Sequence, residues 1–421
     1  MYSHIQQQDP EVYDALSGEE ERERVGLELI PSENYVSLAV REALGSVLTN
    51  KYAEGLPGKR YYGGQMYTDA VENLAIERAK KLFKAGFVNV QPLSGAPANL
   101  AMYSALLEPG DTVLGMDLGH GGHLTHGHPM TFPAKVFRFV TYKMKDPDTG
   151  EIDYEALAET ARKEQPKINP KALSADPREI DYTKRSGITK EESAYAVMDM
   201  AHIAGLIAAG VLKNPFDYGF DVITTTTHKT LRGPRGGMIL TRESEEIAKK
   251  VNKAIFPGLQ GGPHMNAIAG IAVALGEAAQ PSFRVYAEQV LKNAKAMEAV
   301  LRKENIRMLT GGTDNHLILA DVFGSLSISG KEAETVLDEV GITLNKNAIA
   351  DDTRPPLDPS GIRFGTPPMT TRGMKEAEAT KVAELLMLTL RNKDDASKKT
   401  EIKKEVQGLC EQFPVPESFI K

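Results

Sequence analysis

From Leu74 onward, short apolar runs alternate with stretches of helical periodicity, and this alternation constrains the fold more than any other feature of the sequence. Three of the apolar runs are typical of buried strands, namely residues 113–116, 195–198 and 222–223. Helical patterns such as that of residues 155–161 lie between them. Strands that alternate with helices predict an α/β fold with a mostly parallel sheet, covered by helices on both faces.

The pattern changes towards both ends of the chain. Residues 9–50 are predicted to be helical, and residues 283–303 show the period of a long amphipathic helix. Short strand candidates at residues 317–319 and 342–344 follow, with further helices between and after them. We therefore predict an N-terminal helical arm (1–50), a large domain (51–280) and a smaller α+β C-terminal domain (281–421).

Composition and charge exclude several classes of function. The 421 residues carry a formal net charge of -7 with both signs interspersed, which argues against nucleic acid or an anionic membrane as the main partner. The single cysteine, Cys410, allows neither an internal disulfide nor a cysteine metal site. No signal peptide is visible, and the apolar run of residues 203–212 is too short to span a bilayer. We expect a cytoplasmic protein.

Lys229 lies in the segment of residues 224–237, which follows a buried strand and is rich in hydroxyl groups and glycine. A lysine removed from water at such a position presents the neutral amine that bonds covalently to a carbonyl cofactor. The surrounding glycines let a bulky cofactor approach the backbone. The alternative interpretation is a solvated basic turn after a strand.

Asp199 ends the predicted strand of residues 195–198, and the carboxyl ends of parallel strands meet in one crevice. A buried carboxylate there needs a cationic partner, and the ring nitrogen of pyridoxal phosphate (PLP) is such a cation. Alternatively, Asp199 is a helix N-cap and His202 a structural residue. Residues 94–99 introduce a helix with Pro97 in its first turn, and its N-terminus is a candidate phosphate site.

Four of the nine histidines lie within residues 120–128. The glycines of this segment indicate a loop, and the spacing of its histidines matches no established metal motif. We therefore expect no metal ion, and we favour the interpretation that His123 stacks on a flat cofactor.

Taken together, these motifs resemble the serine hydroxymethyltransferase (glycine hydroxymethyltransferase) family over residues 27–376. The matching stretches are residues 32–34, 48–55, 57–64, 121–127, 199–205, 224–237, 256–263, 311–317, 345–347 and 360–366. The resemblance implies a PLP-dependent transferase of fold type I. It also implies an obligate homodimer with shared active sites, and a tetramer remains an open alternative.

The implied activity is the reversible transfer of the serine hydroxymethyl group to tetrahydrofolate, which gives glycine and 5,10-methylenetetrahydrofolate in one-carbon metabolism and amino-acid biosynthesis. Lys229 resembles the Schiff-base lysine, Asp199 the partner of the ring nitrogen and Glu54 the acid-base at the hydroxymethyl group. Further catalytic positions implied by the resemblance are His228, Tyr52 and Tyr62. The other implied cofactor contacts are Ser94, Gly95, His123, Ser174, His202, Thr226 and Gly262.

The resemblance also implies contacts to the co-substrates. Substrate contacts are Ser32, Tyr62 and Arg363, of which the arginine suits the bidentate grip on a carboxylate. Folate contacts are Leu118, Gly122, Leu124 and Asn347. The residues expected from the partner subunit are Tyr52, Glu54, Tyr62 and Gly262.

Three departures from the family pattern and two alternative functions complete the sequence-based view. Ala96 replaces a residue whose hydroxyl meets the phosphate, Pro170 interrupts an apolar strand, and residues 183–193 lack an apolar helix pattern. One alternative function is folate-independent aldol cleavage of 3-hydroxy amino acids, which would use the same Lys229, Asp199 and Arg363. The other is a non-catalytic scaffold or nucleic-acid binder that retains the fold.

Overall fold

The computed structural model describes residues 2–172, 176–179 and 181–416, with the backbone alone at residues 171 and 172. The chain divides into two compact units. We call Leu38–Glu288 the central unit, and Met1–Ser37 together with Gln289–Lys421 the terminal unit. The domain boundaries predicted at residues 50 and 280 stay a prediction.

Strands and helices alternate through most of the chain. The strands are β1 (Leu27–Glu28), β2 (Gly55–Leu56), β3 (Lys59–Arg60), β4 (Phe87–Asn89), β5 (Thr112–Met116), β6 (Arg138–Tyr142), β7 (Met144–Asp146), β8 (Glu151–Ile152), β9 (Ile168–Ala172), β10 (Tyr195–Asp199), β11 (Val222–Thr226), β12 (Gly237–Thr241), β13 (Arg307–Met308), β14 (Leu317–Asp321), β15 (Ile342–Thr343), β16 (Asn345–Asn347) and β17 (Gly361–Gly365). The helices up to residue 278 are α1 (Ser3–Gln8), α2 (Pro10–Val25), α3 (Leu38–Leu44), α4 (Met66–Phe83), α5 (Gly95–Leu106), α6 (Phe132–Val136), α7 (Tyr154–Glu164), α8 (Tyr182–Glu191), α9 (Ala204–Ala208), α10 (Glu245–Lys253) and α11 (Met265–Ala278). Those that follow are α12 (Pro281–Lys303), α13 (Val322–Leu326), α14 (Gly330–Glu339), α15 (Pro367–Thr371), α16 (Glu376–Arg391) and α17 (Ala396–Gln412).

The central unit is built on a seven-stranded sheet with the order β4, β12, β11, β10, β9, β5, β6. Neighbouring strands from β11 to β6 are parallel, whereas β12 is antiparallel to both β11 and β4. Helix α5 packs on this sheet through apolar side chains that meet those of the strands. The core includes Ala98, Met102, Val113, Val197 and Val222. This arrangement confirms the predicted α/β fold with a mostly parallel sheet.

The three apolar runs that predicted strands lie in β5, β10 and β11. Because these strands are parallel, their carboxyl ends lie along the same edge of the sheet. Strand β9 also belongs to the sheet although it contains Pro170, which has no amide hydrogen to donate. It pairs with β10 along all five residues, but with β5 only at Ile168.

The terminal unit has an antiparallel sheet with the order β13, β14, β17, β16. Arg372, which is buried, links two helix ends of this unit because it donates to the carbonyl oxygens of Gly26 after α2 and Cys410 in α17, at 2.7 and 3.0 Å. These bonds satisfy carbonyl groups that helix ends leave without partners. In the described part of the chain, no helix combines the length and the apolar character needed to cross a membrane.

The prediction of helix over residues 9–50 is correct only in part. Helix α2 begins after Asp9, whose side chain accepts from the Val12 amide, and α3 begins at Leu38. Between them the prediction is wrong, because Leu27 and Glu28 form strand β1, which pairs with β15 in parallel. Of the predicted strand at residues 342–344, the first two residues form β15, and Leu344 lies between β15 and β16.

Candidate functional site

Lys229 lies three residues beyond the end of β11 and is 9% exposed. The loop that carries it is closed by its own hydrogen bonds. The Thr227 amide donates to the Gly236 carbonyl at 3.2 Å, and the Gly233 amide donates to the Thr227 carbonyl at 2.7 Å. The lysine is therefore held on a fixed backbone at the carboxyl edge of the sheet.

The histidines beside this loop are removed from water. Burial, with the nearby charges of Arg235 and Lys229, lowers the pKa of His228 to about 3, so its imidazole is neutral at physiological pH. In the part of the chain that the structure describes, Nδ1 of His228 has no hydrogen-bond partner. His202 is buried, and its carbonyl accepts from Oγ1 of Thr230 at 2.8 Å.

Asp199 ends β10 and is buried, with three hydrogen-bond donors around its carboxylate. Oδ2 accepts from Nδ2 of Asn99 at 2.8 Å and from Nε2 of His126 at 3.3 Å, and Oδ1 accepts from the Ala201 amide at 3.0 Å. Burial alone raises the pKa of Asp199. The hydrogen bonds from His126 and Asn99, with the charges that His126 and His123 carry when protonated, outweigh burial and hold the pKa well below the usual range.

The Asp199 carboxylate fits the ring nitrogen of PLP because Oδ1 has room for one more hydrogen bond. A carboxylate oxygen accepts two hydrogen bonds, and Oδ1 of Asp199 takes one from the Ala201 amide. A protonated ring nitrogen could therefore donate to the remaining position and place its positive charge beside the ionised carboxylate.

His123 and His126 lie on the loop after β5. Nδ1 of His123 lies 2.7 Å from Oγ1 of Thr125, and the two imidazole centroids are 5.8 Å apart. Ligand atoms of His123, His126 and Asp199 lie within 4.8 Å of one another, a spacing that could also hold a metal ion. His120 is engaged elsewhere, since its Nδ1 accepts from the Met144 amide. The absence of a metal stays a prediction.

The predicted phosphate site is the N-terminus of α5. Ser94 is the N-cap residue of α5, but its side chain makes no capping hydrogen bond. A Cβ atom on Gly95 would lie 2.8 Å from Cγ2 of Thr226, so a larger residue would collide with the end of β11. The predicted cofactor contacts Gly95 and Thr226 are therefore adjacent, and Ala96 beside them is exposed.

Four residues predicted to come from a partner subunit form one cluster in the central unit. The Tyr52 hydroxyl donates to Oε1 of Glu54 at 2.8 Å, and the rings of Tyr52 and Tyr62 meet edge to face at 5.3 Å. A Cβ atom on Gly262 would lie 2.9 Å from the Tyr52 ring. The bond to Glu54 raises the pKa of Tyr52. Tyr52 and Tyr62 are about half exposed.

The predicted folate contacts of the central unit lie after β5. Leu118 and Leu124 are exposed, and each is the first residue of a short helical turn. Gly122 lies between them in a tight turn, where a Cβ atom would lie 2.2 Å from the Met116 carbonyl oxygen.

The remaining predicted contacts belong to the terminal unit, except for one. Arg363 lies on β17 and donates from Nε to Oδ1 of Asn345 at 3.3 Å, and burial lowers its pKa to about 10. Asn347 ends β16, and Ser32 lies in a turn after β1. Ser174 lies outside the described residues.

The sequence-based prediction missed the residues that hold Asp199. Asn99 and Tyr103 are four residues apart on α5 and therefore lie on the same face of the helix. Both are buried, as is His126, which was considered only as part of a metal motif. A signal existed in the spacing of these two polar residues within an otherwise apolar helix.

A comparison with known families adds independent evidence. The family model described as serine hydroxymethyltransferase matches residues 5–386. This match confirms the predicted family, the fold type I class and the use of PLP with tetrahydrofolate as co-substrate. The chain therefore belongs to the serine hydroxymethyltransferase family, whose members are PLP-dependent enzymes that act on serine and glycine.

Proposed function

We propose that this protein transfers the hydroxymethyl group of serine to tetrahydrofolate and also catalyses the reverse reaction from glycine and 5,10-methylenetetrahydrofolate. The observation that carries the proposal is that a buried lysine and a buried, ionised carboxylate lie at the carboxyl ends of two adjacent parallel strands. Asp199 is the last residue of β10, and Lys229 follows β11. When bound, PLP supplies an electron sink for negative charge at the amino-acid Cα.

The residues of the central unit would bind and orient the cofactor. Lys229 would bond to it covalently, Asp199 would accept from its ring nitrogen, and His123 would stack on its ring. We assign the phosphate and the ring substituents to Ser94, Gly95, Ser174, His202, Thr226 and Gly262. The neutral His228 adds no positive charge of its own beside Lys229.

Other residues would handle the substrates. Arg363 would bind the amino-acid carboxylate, because its guanidinium stays charged at neutral pH even with a pKa of about 10. Ser32 and Tyr62 would contact the same substrate. Glu54, hydrogen-bonded to Tyr52, would exchange a proton at the hydroxymethyl group. We assign folate binding to Leu118, Gly122, Leu124 and Asn347.

We further propose a cytoplasmic homodimer in which each site uses residues of both subunits. The cluster of Tyr52, Glu54, Tyr62 and Gly262 supports this, because these residues contact one another within one chain and could reach a partner's site together. Residues next to Tyr62 in the sequence expose large side chains as well. They include Tyr61, Met66 and Tyr67, each more than two-thirds exposed. Exposed patches of this kind mark interaction surfaces.

Borohydride reduction followed by peptide mapping tests the cofactor assignment. We expect reduced PLP on Lys229 and on no other lysine, because this lysine is buried at the end of the strand next to the one that carries Asp199. The Lys229→Gln variant, purified in the same way, should carry no label. A label on a different lysine would refute the assignment.

Serine cleavage measured with and without tetrahydrofolate, on the same preparations, separates the proposed reaction from folate-independent aldol cleavage.

A further inference from the structure

The Asp199 carboxylate accepts a hydrogen bond from His126, a histidine whose proton can lie on either ring nitrogen. His126, which donates from Nε2 to Oδ2 of Asp199, is 2% exposed and makes one hydrogen bond at each ring nitrogen. Nδ1 of His126 lies 2.5 Å from the hydroxyl of Tyr103, which is fully buried. A neutral imidazole carries its proton on either nitrogen, and its neighbours decide which.

The direction of these bonds follows from the partners. An ionised carboxylate only accepts, so the bond to Asp199 requires a proton on Nε2 of His126. Burial raises the pKa of Tyr103 far above its usual value, so its hydroxyl keeps its proton. In the described part of the chain, this hydroxyl has Nδ1 of His126 as its hydrogen-bond partner and no other. When His126 is neutral, the arrangement that pairs both of its ring nitrogens has the hydroxyl donating to Nδ1 and Nε2–H donating to Asp199.

We propose that the Tyr103 hydroxyl is a positioning group that selects the Nε2–H tautomer of His126 and thereby keeps Asp199 ionised for the cofactor ring nitrogen. The inference rests on the proposed function of Asp199. Without the hydroxyl, the Asp199 carboxylate alone favours the proton on Nε2, and the Nδ1–H form of His126 becomes more populated. The lone pair of Nε2 would then face the carboxylate, and the two acceptors would repel each other at 3.3 Å. The carboxylate relieves this repulsion when it takes up a proton, after which it no longer balances a positive ring nitrogen.

The position of the Tyr103 ring does not depend on its hydroxyl. The ring meets His126 edge to face at 6.0 Å and also packs against Phe137 and Phe139, at 5.9 and 5.7 Å. Phenylalanine preserves all three contacts. The Tyr103→Phe substitution therefore removes one donor and leaves the packing of α5 on the sheet unchanged.

The test is histidine nitrogen NMR on the full chain stripped of PLP, with ¹⁵N-labelled histidine and a His126→Asn variant for assignment. In the wild type we expect the Nε2–H tautomer at His126. In Tyr103→Phe we expect a shift to the Nδ1–H form. A wild type with the proton on Nδ1 alone or on both nitrogens, or a variant with unchanged tautomer populations, would overturn the proposal.

A second readout uses the bound cofactor. Titration with PLP labelled with ¹⁵N at its ring should show a roughly tenfold higher dissociation constant in Tyr103→Phe, since a hydrogen bond to a charged group is affected. The ring nitrogen signal should also move towards its unprotonated position. Tyr182→Phe is the matched control, because Tyr182 is buried in the same unit and packs on Tyr218 and Phe220. Equal effects in both variants would indicate a merely structural role and would overturn the proposal.

These outcomes are separate from those of the proposed function. If borohydride labels another lysine, the cofactor assignment fails, whereas the tautomer of His126 in the stripped protein still reports on Tyr103. If Lys229 is labelled and the tautomer does not change in Tyr103→Phe, only the present inference fails.

Discussion

The buried side chains of Arg60 and Arg185 in the central unit differ in how many of their nitrogens have a partner among the described residues. The side chain of Arg60 is 3% exposed and binds Asp69 through Nε and Glu72 through Nη2, at 2.8 and 2.5 Å. Its Nη1 donates to the carbonyl oxygens of Ala53 and Gly55, both at 2.8 Å. Every nitrogen of this guanidinium therefore has an acceptor.

Arg185 on α8 is 1% exposed and faces a different environment. Its Nη2 donates to Oδ1 of Asn169 at 2.6 Å and to the Pro170 carbonyl at 2.8 Å. Among the residues that the structure describes, Nε and Nη1 have no partner. The guanidinium also lies 4.8 Å from the centroid of the Tyr142 ring, a weaker interaction than an ion pair.

The difference shows what makes a buried charge stabilising. Removal of a guanidinium from water is costly, and only well-placed acceptors offset that cost. Arg60 also fixes the backbone on both sides of Glu54, since its two carbonyl acceptors flank that residue. Arg185 lies in the segment where the family resemblance predicts an apolar helix, and neither of its acceptors is a carboxylate.

The largest effect is expected for Arg60→Met. The substitution leaves Glu72, whose side chain is 1% exposed, as a buried carboxylate without its cation. We expect the free energy of unfolding to fall by about 3–5 kcal/mol, the usual result when one member of a buried ion pair is removed. Urea denaturation followed by circular dichroism measures the change. Folate-dependent serine cleavage should fall as well, because the backbone around Glu54 loses its support.

Glu54→Gln is the matched control for this prediction. Glu54 is not part of the ion pairs of Arg60, and loss of its acid-base function should reduce folate-dependent cleavage by about 10²–10⁴-fold. The urea midpoint of this variant should equal that of the wild type. An Arg60→Met protein that retains the wild-type midpoint would remove the contrast between the two arginines.

A smaller effect of opposite sign is expected for Arg185→Met. Methionine is flexible enough to fill the space, and it removes a charged group whose Nε and Nη1 lack partners among the described residues. We expect the free energy of unfolding to rise by about 1–3 kcal/mol, as buried charges replaced by apolar side chains often stabilise a protein. The same urea experiment measures it.

Arg138→Met is the control for the chemistry of the substitution itself. Arg138 pairs with Glu164 on the surface, where ion pairs contribute roughly 0–1 kcal/mol. The urea midpoint should therefore stay close to that of the wild type. Destabilisation by Arg185→Met would mean that the bonds to Asn169 and Pro170 outweigh the two unpaired nitrogens.

The difference between local patterns and distant partners explains which parts of the structure could be predicted from the sequence. Strands β10 and β11, helix α12 and the placement of Asp199 at a strand end were predictable because apolar periodicity is local. Strand β1 was missed because its pairing partner, Ile342, lies more than 300 positions away. Asn99 and Tyr103 had a local signal in their spacing on α5, but their hydrogen-bond partners Asp199 and His126 lie 100 and 23 positions away, where periodicity does not point.

The prediction for Pro170 illustrates a local rule that the surroundings override. A proline is expected to disturb a strand inside a sheet, yet β9 pairs with β10 along its full length, and only its pairing with β5 stops at Ile168. The Pro170 carbonyl accepts from Arg185, so α8 supplies a contact to this strand from outside the sheet. Such compensation depends on an arginine at a position where an apolar residue was expected, and periodicity gives no sign of it.

The smallest effect is expected where a missing partner lies at the surface. Ala96 is exposed at the start of α5 and lacks the hydroxyl that its family position gives to the cofactor phosphate. Because water has access there, we expect Ala96→Ser to lower the dissociation constant for PLP by only about tenfold, the low end for a hydrogen bond to a charged group. Titration of the stripped variants in phosphate-free buffer measures it. Ala96→Val, which adds bulk without a donor, should show no gain. Equal dissociation constants for Ala96→Ser and wild type would mean that another donor already binds the phosphate. The hydroxyl of Ser94, which makes no capping hydrogen bond, is such a donor.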